Sequence, residues 1–223
     1  MEKKLSAILL LVLSVLLCCG SGCADSGGLA IAGKASTLGF GGELTTGISS
    51  NVNARVGINM LDLNFDDEFE DIEYDAGLDF SSFSALVDWY LFNSGFRVTG
   101  GLIAMDHEIS LDATPTVSEE IGGVTYTAAE IGTLSGDIEV DDLAPYVGIG
   151  WGDAMDPGRR WGFYCDFGVA FTNSPDVELS ANGTLASNAA FQANLAKERK
   201  DIEDDLEPFR FYPVISVGLF YRF

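Results

Sequence analysis

The chain has little of several residue types that nucleic-acid-binding proteins and metal-dependent enzymes need. Lysine and arginine number 12 against 34 aspartates and glutamates, so the formal net charge is −22. Binding to nucleic-acid phosphates needs clustered basic side chains, and the composition therefore argues against nucleic acid as a partner. The sequence has one histidine and shows no metal-ligand spacing, phosphate-binding loop or dinucleotide fingerprint. It predicts no cofactor and no metal site.

Long apolar runs are also scarce. The main one, residues 7–17, follows Lys3 and Lys4 and is followed by small residues up to Ala24, a pattern typical of a secretory signal peptide. It is far shorter than the roughly 20 residues that a membrane-spanning helix needs. We therefore expect a signal peptide over residues 1–24 and a single barrel domain over residues 25–223.

Cysteine is rare outside this leader. Of the four cysteines, only Cys165 lies beyond residue 24, so the mature chain could form no internal disulfide. Cys165 lies between Phe163 and Phe167, which favours a packed or lipid-facing thiol over a nucleophile. Cys23 raises the alternative of a lipoprotein, although the residues before it lack the leucine usual in a lipoprotein signal.

The last fifteen residues alternate in chemical character. Every second residue from Phe209 to Phe223 is apolar, whereas the positions between them include Arg210 and Arg222. Successive side chains of a strand point to opposite faces, so one face is entirely apolar. Tyr221 and the terminal Phe223 fit the insertion signal by which the barrel-assembly machinery recognises outer-membrane barrels. We expect a lipid-facing strand.

The same alternation recurs along the chain in segments of about ten residues, as in transmembrane barrels. The segments are 29–35, 38–45, 52–60, 83–91, 96–105, 142–152, 160–172 and 209–223. A single-chain barrel normally has an even number of strands, and segment 29–35 completes the set if a tight turn lies near Ser36 and Thr37. One long strand through Thr46 is the alternative. The pattern predicts an all-β fold, an eight-stranded antiparallel transmembrane β-barrel.

The connections between these segments differ in length. With the C-terminus in the periplasm, short turns at residues 49–51, 93–95 and 153–159 lie inside and the longer acidic loops lie outside, as expected for such barrels. The strongly acidic residues 66–75 are interpreted as a solvated loop surface, with attraction of cations as the alternative. The last outer loop contains a predicted amphipathic helix over residues 187–205, which either packs on the rim or covers the lumen.

The faces opposite the apolar ones place charged and tyrosine side chains in the lumen or at its ends. They are Lys34, Glu43, Arg55, Asp88, Arg97, Tyr146, Tyr164, Asp166, Arg210 and Arg222, together with Arg160. The interior of an eight-stranded barrel is just wide enough for side chains to fill. These charges could therefore form a paired plug or line a narrow charged path for small solutes.

The only histidine, His107, lies between Asp106 and Glu108 near the outer end of a predicted strand. Adjacent residues of a strand point to opposite faces, so these two carboxylates cannot both orient the imidazole as a catalytic triad requires. The sequence predicts no catalytic residues and no enzyme.

Several blocks of sequence resemble the CarO-type family of small outer-membrane channels. They are residues 144–151, 173–179 and 121–126, the charged helix that ends near residue 205, and the Tyr-Pro-Val start of the last strand at residue 212. The resemblance implies a porin-like eight-stranded barrel for uptake of small solutes. Basic amino acids such as ornithine are proposed for the family, and some members are linked to carbapenem uptake. This chain departs from the family by ending in Phe223 rather than tryptophan and by its acidic first outer loop.

Together these features predict an outer-membrane channel for passive passage of small solutes, either cation-leaning or selective for basic and zwitterionic amino acids. The alternative is a non-conducting structural or surface-interaction barrel with a salt-bridged lumen. The expected location is the outer membrane of a Gram-negative bacterium, after export directed by the signal peptide. The expected partners are outer-membrane lipid and lipopolysaccharide, the barrel-assembly machinery and small solutes.

Overall fold

The computed structural model describes residues 28–69, 72–91 and 94–223. The predicted signal peptide, including Cys23, lies outside these residues. Within them, no helix is both long enough and apolar enough to cross a bilayer.

Eleven strands and two α-helices make up the described chain. The strands are β1 (Leu29–Ser36), β2 (Gly39–Ser49), β3 (Val52–Phe69), β4 (Ile72–Tyr90), β5 (Phe96–Pro115), β6 (Glu119–Ile121), β7 (Val124–Tyr126), β8 (Leu134–Trp151), β9 (Trp161–Phe171), β10 (Asp176–Ala181) and β11 (Phe211–Arg222). The helices are α1 (Ala128–Ile131) and α2 (Ala189–Leu206), and a 3-10 turn (Glu207–Arg210) follows α2.

Eight of these strands close into an antiparallel ring in the order β1, β2, β3, β4, β5, β8, β9, β11. β11 pairs with β1, and β8 pairs with β9, so the ring has no open edge. The predicted eight-stranded antiparallel transmembrane barrel is confirmed.

A tight turn joins β1 to β2 at the predicted place. Gly39 has a φ of +105°, in the left-handed region that favours glycine. A Cβ there would also lie 2.6 Å from the carbonyl oxygen of Met60. The alternative of one strand running through Thr46 is wrong.

The exterior of the barrel is apolar where the strands cross the membrane. Phe163 is 74% exposed and Trp161 is 64% exposed, whereas Asp88 and Arg97, which point inward, are 0% and 2% exposed. A water-soluble barrel would show the reverse distribution. The alternating apolar faces therefore face lipid, as the sequence predicts.

The wall of the barrel is tall on one side. β3, β4, β5 and β8 have 18 to 20 residues, whereas β1, β2, β9 and β11 have 8 to 12. We call the end that holds Leu29 and Phe223 the turn end and the opposite end the loop end. The long strands rise together beyond the loop end, where β10 pairs with β8. The resulting extended sheet has the order β3, β4, β5, β8, β10.

This height differs from the sequence prediction. Residues 66–75 were expected to form a loop, but β3 runs to Phe69 and β4 begins at Ile72, and residues 70–71 lie outside the described part. Alternation continues up to this stretch, since Leu61, Leu63 and Phe65 alternate with Asp62, Asn64 and Asp66. The acidic density therefore belongs largely to strands.

The two faces of the extended sheet reverse the polarity of the membrane-spanning part. One cross-strand row on the outward face contains only carboxylates: Asp62, Asp79, Glu108, Glu139 and Asp176. The next row on the inward face contains only aliphatic side chains: Leu63, Leu78, Ile109, Ile138 and Val177. The reversal marks where the strands leave the lipid, because an outward face in water no longer favours apolar groups.

A loop-end module packs beside β8 and β10. Its core contains Ile121, Tyr126, Ile131, Phe191 and Leu195, which join α1, α2 and the β6–β7 hairpin. The hairpin turns at two glycines of positive φ, as type I′ turns require. The backbone of the first, Gly122, is held by α2, since its N–H donates to Glu198 at 2.9 Å and its carbonyl accepts from Lys197 at 3.0 Å.

The helix α2 confirms the predicted helix in the last loop. It begins after Asn188, whose side chain accepts hydrogen bonds from the N–H groups of residues 190 and 191 and caps the helix. Its buried residues, Phe191 and Leu195, face the module core. This placement supports the rim-packed interpretation over a helix inserted in the lumen.

Candidate functional site

Six charged side chains meet inside the barrel and define an ion-pair layer. They are Lys34, Glu43, Arg55, Asp88, Arg97 and Asp166. None of these side chains is more than 6% exposed. Three cations face three carboxylates, so the layer is neutral as a whole, which buried charges require.

Arg55 lies at the centre of this layer. Its Nε is 2.7 Å from Asp88 Oδ2, and its Nη1 is 3.0 Å from Asp166 Oδ2 and 3.2 Å from Glu43 Oε1. One guanidinium therefore contacts carboxylates from three strands. Arginine suits this position because its planar group presents five donors in a fixed geometry.

Each carboxylate of the layer contacts two cations. Asp166 accepts from Arg97 at 2.7 Å in addition to Arg55, and Asp88 lies 3.4 Å from Arg97. Lys34 is the second partner of Glu43, at 3.3 Å. Arg97 also donates to the backbone carbonyl of residue 152. The layer is thus one connected network rather than three separate pairs.

A glycine permits the contact between Arg97 and Asp166. Both residues pair with Gly150 of β8, from opposite sides, and the three form one cross-strand row on the inward face. A Cβ at Gly150 would overlap the carboxylate of Asp166 and lie 3.1 Å from Cζ of Arg97. Without a side chain at this position, the two charged groups meet across β8.

Tyrosine rings pack against the guanidinium groups. The ring centroid of Tyr164 lies 5.9 Å from Cζ of Arg55 and 5.5 Å from Cζ of Arg97, and the ring of Tyr90 lies 6.0 Å from Arg97. These distances allow cation–π attraction. The rings fill the space that the charged groups leave.

Little free volume remains between the guanidinium groups, Glu43 and the ring of Tyr164. The cavity lined by Glu43, Arg55, Arg97, Tyr164 and Phe220 measures about 10 Å³. A cavity needs about 10–15 Å³ on this measure to hold one water molecule. The side chains that line this cavity therefore leave no room for a solute between them.

An apolar layer lies beside the ion-pair layer, towards the loop end. It contains Leu38, Leu86, Ile103, Met105, Ala144, Tyr146, Ala170 and Val214, with Tyr212 packed against them. Leu38 comes from the turn between β1 and β2 and the others from β4, β5, β8, β9 and β11, and they pack together inside the barrel. The sequence analysis missed this layer. Its signal was the set of large apolar residues in the inward phase of β4 and β5, namely Leu86, Ile103 and Met105.

Most of the predicted lumen residues lie inside the barrel. The six charged residues of the ion-pair layer, Tyr164 against them and Tyr146 in the apolar layer all point inward. Arg222 is half-buried at the turn end, where it donates to the carbonyl of Asp156 at 3.2 Å.

Arg210 and Arg160 are both exposed at the ends of the barrel and take no part in the ion-pair layer. Arg210 lies in the 3-10 turn at the loop end and pairs with Glu207 at 3.2 Å. The alternating phase of the last strand begins only at Phe211, so Arg210 has no lumen position. Tyr221 and Phe223 lie on the lipid-facing side with their rings 5.3 Å apart, and their role as an insertion signal stays a prediction.

His107 lies at the loop-end border of the apolar layer and is 4% exposed. Its ring stacks on Phe80 at 4.4 Å and meets the edge of Tyr212 at 5.7 Å. Asp106 and Glu108 are exposed on the outward face, so neither can orient the imidazole. Among residues 28–69, 72–91 and 94–223, no cluster of three or more potential metal ligands is found.

Comparisons with known proteins support the fold. No protein family and no curated protein matches the sequence. Among solved structures, CarO2 of Acinetobacter baumannii is 21% identical with a TM-score of 0.66, over 89% of this chain and 100% of that one. CarO of the same organism is 20% identical with a TM-score of 0.58, over 87% of this chain and 97% of that one. The chain therefore has the fold of the CarO-type outer-membrane β-barrels.

Proposed function

We propose that this chain is a surface-interaction barrel of the outer membrane. In this proposal the barrel anchors an exposed sheet and helix module, and its lumen is closed at rest. The observation that carries the proposal is the packing of two successive layers of side chains, the ion-pair layer and the apolar layer, inside the barrel. This is the alternative that the sequence left open beside a channel.

Both layers oppose the passage of solutes, for different physical reasons. Separating buried ion pairs leaves uncompensated charges, at a cost of about 3–5 kcal/mol when one partner is removed. Apolar constrictions exclude water and thereby block ions. A solute would have to displace both layers to cross.

In this proposal the module lies at the cell surface. Short turns and the chain termini lie in the periplasm in barrels of this kind, and long loops lie outside. The extended sheet then rises above the lipid and presents its row of carboxylates outward. Such a surface attracts cationic groups, and it lies at the height of the lipopolysaccharide headgroups. Export by a signal peptide and insertion by the barrel-assembly machinery are parts of the same proposal.

A narrow channel for small cationic or zwitterionic solutes is the second candidate, and one observation favours it. Each carboxylate of the ion-pair layer has two cationic partners, so one contact can break while the other persists. A path could open by such an exchange, provided that the apolar layer also separates.

Solute flux distinguishes the two candidates. We would reconstitute the mature chain in liposomes and measure swelling in glycine and in ornithine. The surface-barrel proposal predicts that liposomes containing the chain swell at the same rate as protein-free liposomes. It predicts the same rate after deletion of residues 187–205, because α2 packs on the module and not in the lumen. A faster rate in either protein would contradict the proposal and favour the channel.

A further inference from the structure

We propose that the loop end of the barrel binds a small neutral apolar molecule that carries one hydroxyl group. The site lies between the inward face of the extended sheet and the aromatic cluster of His107, Phe80 and Tyr212. Neither the closed lumen nor the proposed surface role requires this site.

The first observation is exposed apolar surface on the inward face of the sheet. Leu63 is 39% exposed, Phe65 is 52% exposed and Leu111 is 42% exposed. Isolated apolar residues on a protein surface are ordinary, but these three lie in adjacent cross-strand rows with Leu78 and Ile109. A contiguous exposed apolar patch marks a binding surface.

Two features of the fold leave this face uncovered. The opposite wall of the barrel is formed by β1, β2, β9 and β11, which are too short to reach it. The loop-end module covers the other half of the sheet, where Leu134 and Leu179 pack against its core. Among the described residues, the inward surface of β3, β4 and β5 beyond the loop end is therefore left exposed, and we call the space in front of it the cleft.

The second observation is an unpaired polar atom at the base of the cleft. Nε2 of His107 is buried and has no hydrogen-bond partner among the described residues. A buried polar group without a partner is unfavourable by about 1–3 kcal/mol. A ligand hydroxyl that displaced the edge of Tyr212 would supply the missing hydrogen bond. Phe80, stacked on the imidazole, holds the ring in place.

The dimensions and the charge of the site select the class of ligand. Leu111 lies four positions after His107, which is about 13 Å along a strand at roughly 3.3 Å per residue. A helix of a partner protein is about 10–12 Å wide and cannot enter an eight-stranded barrel to reach His107. The net charge of −22 disfavours anions, and an apolar lining disfavours cations.

The experiment uses 2-naphthol and naphthalene as probes. The mature chain, with labelled Leu, Ile and Val methyl groups, is placed in lipid nanodiscs and titrated with each probe while methyl NMR shifts are followed. We expect saturable shifts at Leu63, Ile109 and Leu111. We expect only gradual, non-saturating shifts at the lipid-facing Leu143. Binding of 2-naphthol should be about tenfold tighter than that of naphthalene, the equivalent of one hydrogen bond.

Two variants separate the hydrogen bond from the apolar contact. His107→Phe keeps an aromatic ring but removes the polar atom, so the two probes should bind equally and naphthalene affinity should be unchanged. Leu111→Ser should weaken the binding of both probes. Asp112→Ser, on the opposite face of the same strand, should weaken the binding of neither. Absence of saturable shifts at the cleft methyls would overturn the proposal. So would a preference for 2-naphthol that persists in folded His107→Phe.

Discussion

Arg55 on β3 and Asp166 on β9 form an ion pair at 3.0 Å, and these two strands lie four positions apart in either direction around the eight-stranded ring. The pair therefore joins opposite walls of the barrel. Because every carboxylate of the layer has two cationic partners, removing one cation disturbs the whole network.

Replacing the central arginine should destabilise the barrel strongly. Arg55→Met leaves three buried carboxylates against two cations, and we expect a loss of about 3–5 kcal/mol in the free energy of unfolding. Urea unfolding in lipid vesicles, followed by tryptophan fluorescence, measures it. Arg210→Met is the matched control, because its pair with Glu207 is exposed and such pairs contribute about 0–1 kcal/mol. Equal stability of the two variants would contradict the network.

Removing a cation and a carboxylate together should be less harmful than removing either one. The variant Arg97→Leu/Asp166→Leu leaves Lys34 and Arg55 opposite Glu43 and Asp88, so the charges remain balanced. We expect the double variant to be more stable than each single variant, as when apolar residues replace a buried ion pair. A double-mutant cycle from urea unfolding gives the coupling energy. Additive losses would show that the two residues act independently.

The glycine between Arg97 and Asp166 should be sensitive to one added methyl group. Gly150→Ala places a Cβ where the two side chains meet, and overpacking of this kind costs about 1–3 kcal/mol. Gly33→Ala is the control, because nothing lies within 4 Å of its added Cβ. Unfolding experiments on both variants measure the difference. If Gly150→Ala left the free energy of unfolding unchanged, the close contact of Arg97 and Asp166 across Gly150 would be contradicted.

Neutralising the middle of the carboxylate row should stabilise the extended sheet. Glu108 pairs directly with Asp79 and Glu139, and like charges in such positions are unfavourable by about 0.2–1 kcal/mol. Glu108→Gln should therefore slow hydrogen exchange in β5 at low salt, with a smaller gain in 1 M salt. Glu203→Gln, which breaks an exposed pair with Arg199, should show no gain. A gain independent of salt would point to another cause.

The sequence predicted the barrel because lipid imposes a strict alternation that can be read locally. Lys34, Glu43, Arg55 and Asp88 were assigned to the lumen from phase alone, and the structure agrees. Their partners were not predictable, since Arg55 and Asp166 are 111 residues apart and meet only after the ring closes. Pairing across a lumen depends on the register of every strand that lies between the two residues around the ring.

Two other features were missed for local reasons. The sequence placed Arg210 in the last strand, but the helix and its 3-10 turn extend to this residue and delay the start of β11. The sequence predicts an acidic loop in place of the tall wall, because the alternation reverses its polarity beyond Met60. Once strands leave the membrane, the stable arrangement places carboxylates on the outward face and leucines on the inward face. A search for apolar outward faces therefore does not detect these strand segments.

The closure of the lumen is the central claim, and single-channel recording tests it most directly. The mature chain is refolded and inserted into planar bilayers in a potassium chloride gradient, with folding verified on the same sample. We expect no discrete conductance from the wild-type chain. Regular cation-selective steps from correctly folded protein would contradict a lumen closed by the ion-pair and apolar layers.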